Sequence, residues 1–170
     1  MELTASQEDY LEAILGLISN TGNARVRDIA ERLDVANSSV TVALRSLAKR
    51  GLVNYEPYEL VTLSDRGRAQ ARRVRRRHQE LSDFLTGVLG VDEQTADASA
   101  CAMEHAVGDG VMHSLRCFME FMSKSSAAAM ELPQAFREYC LQRQSTASCQ
   151  GCAVVAARRA DNQRGSRRAT

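Results

Sequence analysis

Residues 25–51, RVRDIAERLDVANSSVTVALRSLAKRG, carry the pattern on which the fold turns. Val26, Ile29, Ala30 and Leu33 recur at helical spacing and form the inward face of a short helix. Asp34-Val35-Ala36-Asn37 then makes a tight connection, and SSVTVALRSLAKRG continues as a second helix that stops at Gly51. Two short helices joined by such a turn form a helix-turn-helix unit. On its C-terminal side, LVNYEPYELVTLS (52–64) alternates apolar and polar residues about a Pro-containing turn, the pattern of a two-stranded hairpin. On its N-terminal side, SQEDYLEAILGLIS (6–19) opens on Ser6 as a candidate N-cap. It sets Tyr10, Leu11, Ile14, Leu15, Leu17 and Ile18 at helical period before Asn20-Thr21-Gly22-Asn23 ends the run. Helix, helix-turn-helix and hairpin in that order predict a winged helix-turn-helix.

Further along, Ser64-Asp65 caps a long helix that runs to about Leu89. Its first half, RGRAQARRVRRRH, holds seven arginines between Arg66 and Arg77, and its second half, LSDFLTGVL, is apolar enough to pack. Gly90-Val91-Asp92 breaks it. Residues 92–107 and 109–122 read as two more helices, the second rich in Met and Phe, and a short final helix starts at Pro133. The last residues, DNQRGSRRAT, read as a disordered basic tail. The expected fold is mainly α: a winged helix-turn-helix domain over 1–72, a second, helical domain over 73–142, and a Cys-containing basic tail over 143–170.

Composition narrows the class. Apolar content of 44% and charged content of 25% suit a globular protein with a real core. No run approaches the roughly 20 apolar residues that span a bilayer, and the acidic start MELTASQEDY is unlike a signal peptide. A cytoplasmic location is the expectation. Five cysteines at irregular spacing then read as reduced thiols or ligands, because a disulfide framework would use an even set. A net charge of +1 hides segregation: residues 1–80 carry 13 Lys/Arg against 11 Asp/Glu, and residues 81–157 carry 4 against 9. An arginine run of this kind is either a solvated helix face or a phosphate-binding surface.

The second helix of a helix-turn-helix presents its N-terminal residues to base edges in the major groove. Here that helix offers Asn37, Ser38, Ser39, Thr41, Val42 and Arg45, with Arg27 and Lys49 placed for flanking phosphates. Similar three-helix units also occur in proteins that never meet nucleic acid, but the hairpin and the arginine run favour duplex DNA. A winged helix reading a palindrome works as a homodimer, so the remaining helices must dimerise, sense a signal, or both.

A second constellation lies in SACAMEHAV. Cys101, Glu104 and His105, at i, i+3 and i+4, place a thiol, a carboxylate and an imidazole on one helical face, three kinds of transition-metal donor. Spacing alone leaves open a plain polar face with a small buried Cys. Near the C-terminus, Cys140, Cys149 and Cys152 (CLQRQSTASCQGC) include a C-x2-C pair. A structural zinc site completed by Cys117 or a partner subunit, a redox dithiol, and plain reduced thiols all fit that pattern.

Several of these motifs together are similar to a known family. The order EDYLEAI, DIAERLDV–SSVT–L–RGLV, L–LSDRGR, RRRH–EL–FL and C–MEH resembles the metal-dependent repressors typified by the diphtheria toxin repressor and the manganese transport regulator, over roughly residues 5–123. The resemblance implies a metal-activated, dimeric DNA-binding transcriptional repressor of iron or manganese homeostasis genes, without enzymatic activity. It implies a metal site built from Asp9 and Glu12 of the first helix, His78 of the long helix, and Cys101, Glu104 and His105. Asp9 matches the manganese-type branch, where the iron-type branch has Met. Cys101 matches the iron-type branch, where the manganese-type branch has Glu. Thiolate favours later, softer metals, so Fe(II) is expected first and Mn(II) next, with Zn(II) or Co(II) able to bind in vitro.

The chain also departs from the family pattern. Ser82 and Asp97 stand where the iron-type ancillary site has Glu and His, and the SH3-like third domain of longer members has no expected counterpart. His113 matches no ligand position and reads as an ordinary polar residue. Two rivals stay open at this point. One is a thiol-based redox regulator on the same winged-helix scaffold. The other is a metalloenzyme, for which no nucleophile or Gly-rich substrate loop is present.

Overall fold

A computed structural model describes residues 3–124 and 128–142. The chain divides into two compact units, Met1–Arg76 and Arg77–Thr170. The expectations for the basic tail and for Cys149 and Cys152 fall outside the described residues.

The first unit opens with α1 (Ala5–Thr21). Its N-cap is Thr4, not Ser6: the Thr4 hydroxyl accepts from the Gln7 N–H at 3.2 Å, and the Gln7 amide oxygen accepts from the Thr4 N–H at 3.3 Å. This Thr-x-x-Gln capping box satisfies two end donors reciprocally, which a lone Ser6 would not do. Gly22, at φ +78°, closes the helix by donating to the Ile18 carbonyl.

Next come α2 (Val26–Leu33) and α3 (Asn37–Lys49). The connection between them turns on Asp34 in the left-handed region, at φ 52°, with the Val35 N–H returning to the Ala30 carbonyl at 3.0 Å. Aspartate is one of the few L-residues that visits this region at small cost. The hairpin is shorter than the alternation suggests. Only β1 (Val53–Asn54) and β2 (Thr62–Leu63) pair, antiparallel, in the register Val53↔Leu63 and Asn54↔Thr62. A 2.8 Å bond from the Val61 N–H to the Ala24 carbonyl pins the returning strand to the loop before α2.

Leu11, Ile14, Ile29, Val40, Leu44, Leu47 and Val61 are fully buried and form one core with Leu52, Val53 and Leu63. Each such side chain contributes about 1.5–3 kcal/mol of transfer free energy, so this cluster sets the tri-helical arrangement. Polar ties reinforce it: Arg50 donates to the Gln7 amide oxygen at 2.6 Å, joining α3 to α1.

Helix α4 (Asp65–Gly87) begins in the first unit and ends in the second. Ser64 caps it, accepting from the Gly67 N–H at 3.1 Å while donating to the Gly51 carbonyl at 2.8 Å. The second unit continues with α5 (Glu93–Met103), α6 (Asp109–Lys124) and α7 (Ala128–Gln142). Leu81, Ala100 and Met112 form its core with Val107 and Leu115. Phe84 and Phe118 meet edge to face at 6.2 Å.

Two helices differ from the sequence-based expectation. Helix α7 contains Pro133 within its span. As the sixth residue of the helix, proline forgoes the one bond its N–H would donate to the carbonyl four residues back, and the preceding Ala, Met, Glu and Leu are strong helix formers. Helix α5 ends at Met103 instead of running to 107, and Glu104 and His105 lie in the turn that closes it. Among the described residues, no helix is long and apolar enough to cross a membrane.

Candidate metal centre and nucleic-acid interface

In the second unit, α4 and the end of α5 converge on one carboxylate. Glu104, at 1% exposure, is the buried charged residue among those described. Its Oε2 lies 2.9 Å from Nδ1 of His78, and its Oε1 lies 3.3 Å from Nε2 of His105. Burying a carboxylate is costly unless partners hold it, and two imidazoles supply that partnership. Position follows from local geometry. Glu104 keeps helical dihedrals at the C-cap and donates its N–H to the Ala100 carbonyl at 2.9 Å, so its side chain still points along the inward face of α5. Arg77 secures the same turn. It donates to the Glu104 carbonyl at 2.9 Å and pairs with Asp109 at 2.5 Å, next to the negative end of the α5 dipole.

The other ring nitrogen of His78, Nε2, lies 2.9 Å from Oδ1 of Asp97. With a carboxylate oxygen at each nitrogen, the imidazole is set to donate twice, as its protonated form does. Burial opposes the charge, but the bonds and charges of Asp97 and Glu104 outweigh it, and the His78 pKa lies above the ordinary 6.5. A divalent ion therefore competes with a proton here. Two imidazoles on a buried carboxylate make a nitrogen–oxygen donor set that suits Mn(II), Fe(II) and Zn(II), so the residues fit a metal.

Four of the six expected donors lie in the second unit. His78, Glu104 and His105 come together. Cys101 lies in the last turn of α5 and is exposed, so it does not share the buried position of Glu104. Asp9 and Glu12 lie on α1 in the first unit, both half-buried. Asp97, set aside in the sequence as a departure, is a direct partner of His78. Its signal in the sequence was its place four residues before Cys101, on the same helical face as that expected donor. Of the C-terminal thiols, Cys140 is buried in α7, Cys117 is exposed on α6, and Cys149 and Cys152 lie outside the described residues.

In the first unit, Asn37, Ser38, Ser39, Val42, Arg45 and Lys49 of α3 and Arg27 of α2 are exposed. Val42 keeps 68% of its surface, far more than packing would leave a valine. Thr41 is half-buried and its hydroxyl bonds back to the Asn37 carbonyl at 3.0 Å. A cleft of about 780 Å³ between these helices and the hairpin tip is lined by Arg25, Arg27, Arg45, Tyr55 and Tyr58, among others. Arg25 and the two tyrosines did not stand out in the sequence; the fold places them with Arg45 around one cleft.

Two family models match the chain in sequence order. "Iron dependent repressor, N-terminal DNA binding domain" matches residues 2–61, and "Iron dependent repressor, metal binding and dimerisation domain" matches residues 64–129. The chain belongs to the iron-dependent repressor family. An uncharacterised helix-turn-helix transcriptional regulator of Methanocaldococcus jannaschii is 38% identical over 69% of this chain and 95% of its own length. The transcriptional regulator MntR of Bacillus subtilis is 34% identical over 76% of this chain and 90% of its own.

Among solved structures, a manganese-dependent transcriptional repressor in complex with manganese is 33% identical, with a TM-score of 0.63 over 68% of this chain. IdeR of T. acidophilum, 24% identical with a TM-score of 0.59, shares the fold. The chain spans about half the length of these two solved chains, 53% of each. Membership of this family makes the protein a DNA-binding transcriptional regulator and not an enzyme, and the redox alternative finds no support among these relatives.

Proposed function

We propose that the protein is a homodimeric repressor that binds a palindromic operator when a divalent metal is present, with 1–72 as the DNA-binding domain and 73–142 as the metal-binding and dimerisation domain. The observation that carries this reading is the buried Glu104 carboxylate held between His78 and His105, in a chain whose α3 keeps its polar N-terminal face exposed. In the ligand set proposed by family resemblance, Asp9, Glu12 and Cys101 complete the site. Metal binding then shifts the population toward the DNA-competent state by as much as its affinity for that state exceeds its affinity for the other.

Fe(II) and Mn(II) are the proposed effectors, and Cys101 is the residue that separates them. A thiolate weights the site toward iron, while the carboxylates and imidazoles accept either. Relatives named for manganese support Mn(II) as fully as Cys101 supports Fe(II).

Operator binding followed by fluorescence anisotropy, under Fe(II), Mn(II) and Zn(II), tests the reading. Glu104→Ala and His105→Ala are expected to remove metal-dependent binding while sedimentation still reports a folded dimer. Undiminished, metal-responsive binding in both variants overturns it. Cys101→Glu is expected to raise the Mn(II) response relative to Fe(II).

A further inference from the structure

We propose a second transition-metal site on α6, formed by His113 and Cys117 and separate from the Glu104 centre. The two residues are four apart on one helix, and Nε2 of His113 lies 3.6 Å from Sγ of Cys117. Both residues are exposed, on the face of α6 opposite to the buried Met112 and Met122. Their donor atoms therefore point at one another from the solvent side, where an ion can enter without disturbing the core.

The separation matches a single ion. With zinc–nitrogen and zinc–sulfur bonds of about 2.0–2.1 and 2.3 Å, two donors 3.6 Å apart subtend an angle of about 110° at the metal. That is the tetrahedral value, reached with little change in either side chain. Glu120 shares this face of the helix but pairs with Lys124, so the site offers two protein ligands and leaves the remaining positions to water. Imidazole with thiolate selects a borderline or soft divalent ion, Zn(II), Cd(II) or Co(II), over Mn(II). Binding displaces the Cys117 thiol proton to solvent and forms one metal–sulfur and one metal–nitrogen bond, with no change of oxidation state.

Such a site has a practical consequence for the effector question. A thiolate–metal signal from this protein does not by itself report Cys101.

The test is a Co(II) titration of the full chain carrying Cys101→Ser, Cys149→Ser and Cys152→Ser. This background leaves Cys117 and the buried Cys140 as its thiols. The near-ultraviolet thiolate-to-cobalt band reads sulfur ligation, and circular dichroism confirms the fold of each variant. The expected result is a band whose final amplitude corresponds to one thiolate-bound Co(II) per chain and which is lost on adding either His113→Ala or Cys117→Ser. Absence of the band from the background, its survival in either variant, or a final amplitude of one thiolate-bound ion per two chains overturns the proposal. Because the Glu104 centre of this background contains no thiol, the outcome is independent of the repressor reading. Metal-dependent operator binding can fail while this band remains, and the reverse.

Discussion

His78 shows how one side chain links protonation, stability and metal. In the metal-free protein its pKa is held above the ordinary 6.5: burial pulls it down, but the bonds and charges of Asp97 and Glu104 pull it up further. A folded-state pKa above the unfolded one stabilises the fold below the unfolded pKa, and that stabilisation is lost as pH rises through the folded value. Replacing Asp97 by Asn removes one of the two carboxylates that raise it. The stability difference between wild type and Asp97→Asn is therefore expected to be greatest below about pH 6.5 and to shrink above it, in urea titrations of the metal-free protein over roughly pH 5.5–8.5. A difference that stays constant over that range would show that Asp97 acts on something other than the imidazolium. The same residue marks a limit of reading from sequence. Glu104 and His105 stood out by their helical spacing, but a pairing between side chains 19 residues apart, Asp97 and His78, needed two helices packed together.

Among the elements, the entry to α4 is a tight joint. Gly67 lies in the first turn of that helix, and a Cβ built on it would fall 1.9 Å from the Leu52 carbonyl oxygen. That carbonyl cannot move away freely, because it accepts the Ser64 N–H at 3.0 Å and so helps close the hairpin. Gly67→Ala is expected to destabilise the protein by about 2–3 kcal/mol, read as a lower urea midpoint with little change in slope. A midpoint within error of wild type would mean that the joint yields. Sequence patterning located this helix and its Ser64 cap, since the Arg-rich stretch and the Ser-Asp start are local signals. It did not mark Gly67, which reads like any other helical glycine until the hairpin backbone is laid across it. The hairpin itself was overextended for a related reason: alternation spans 52–64, while only the residues facing a partner form ladder bonds.

For the molecule as a whole, the informative quantity is where charge accumulates. Arg25, Arg27 and Arg45 line one cleft, and basic side chains at phosphates release counterions on binding DNA. Each contacted phosphate contributes about 0.9 to the slope of log affinity against log salt. Arg27→Ala and Arg45→Ala are each expected to weaken operator binding and lower that slope by about one, measured from roughly 50 to 200 mM salt with saturating metal. An unchanged slope in either variant would remove that arginine from the interface. A contact to a base would instead relax the sequence preference at one position.

Local periodicity determined most of what this chain is. Apolar residues at helical spacing specify each helix, turn chemistry specifies where most of them stop, and the ordered motifs specify the family. These are properties of neighbours along the chain, which a sequence carries directly. Within the second unit, tertiary structure decided which donors meet. It buried Glu104 between His78 and His105, gave Asp97 to His78, left Cys101 on the surface, and set Arg25, Arg45 and Tyr58 around one cleft. Those outcomes depend on contacts between distant segments and on which face each helix turns inward, and spacing along one helix does not contain them.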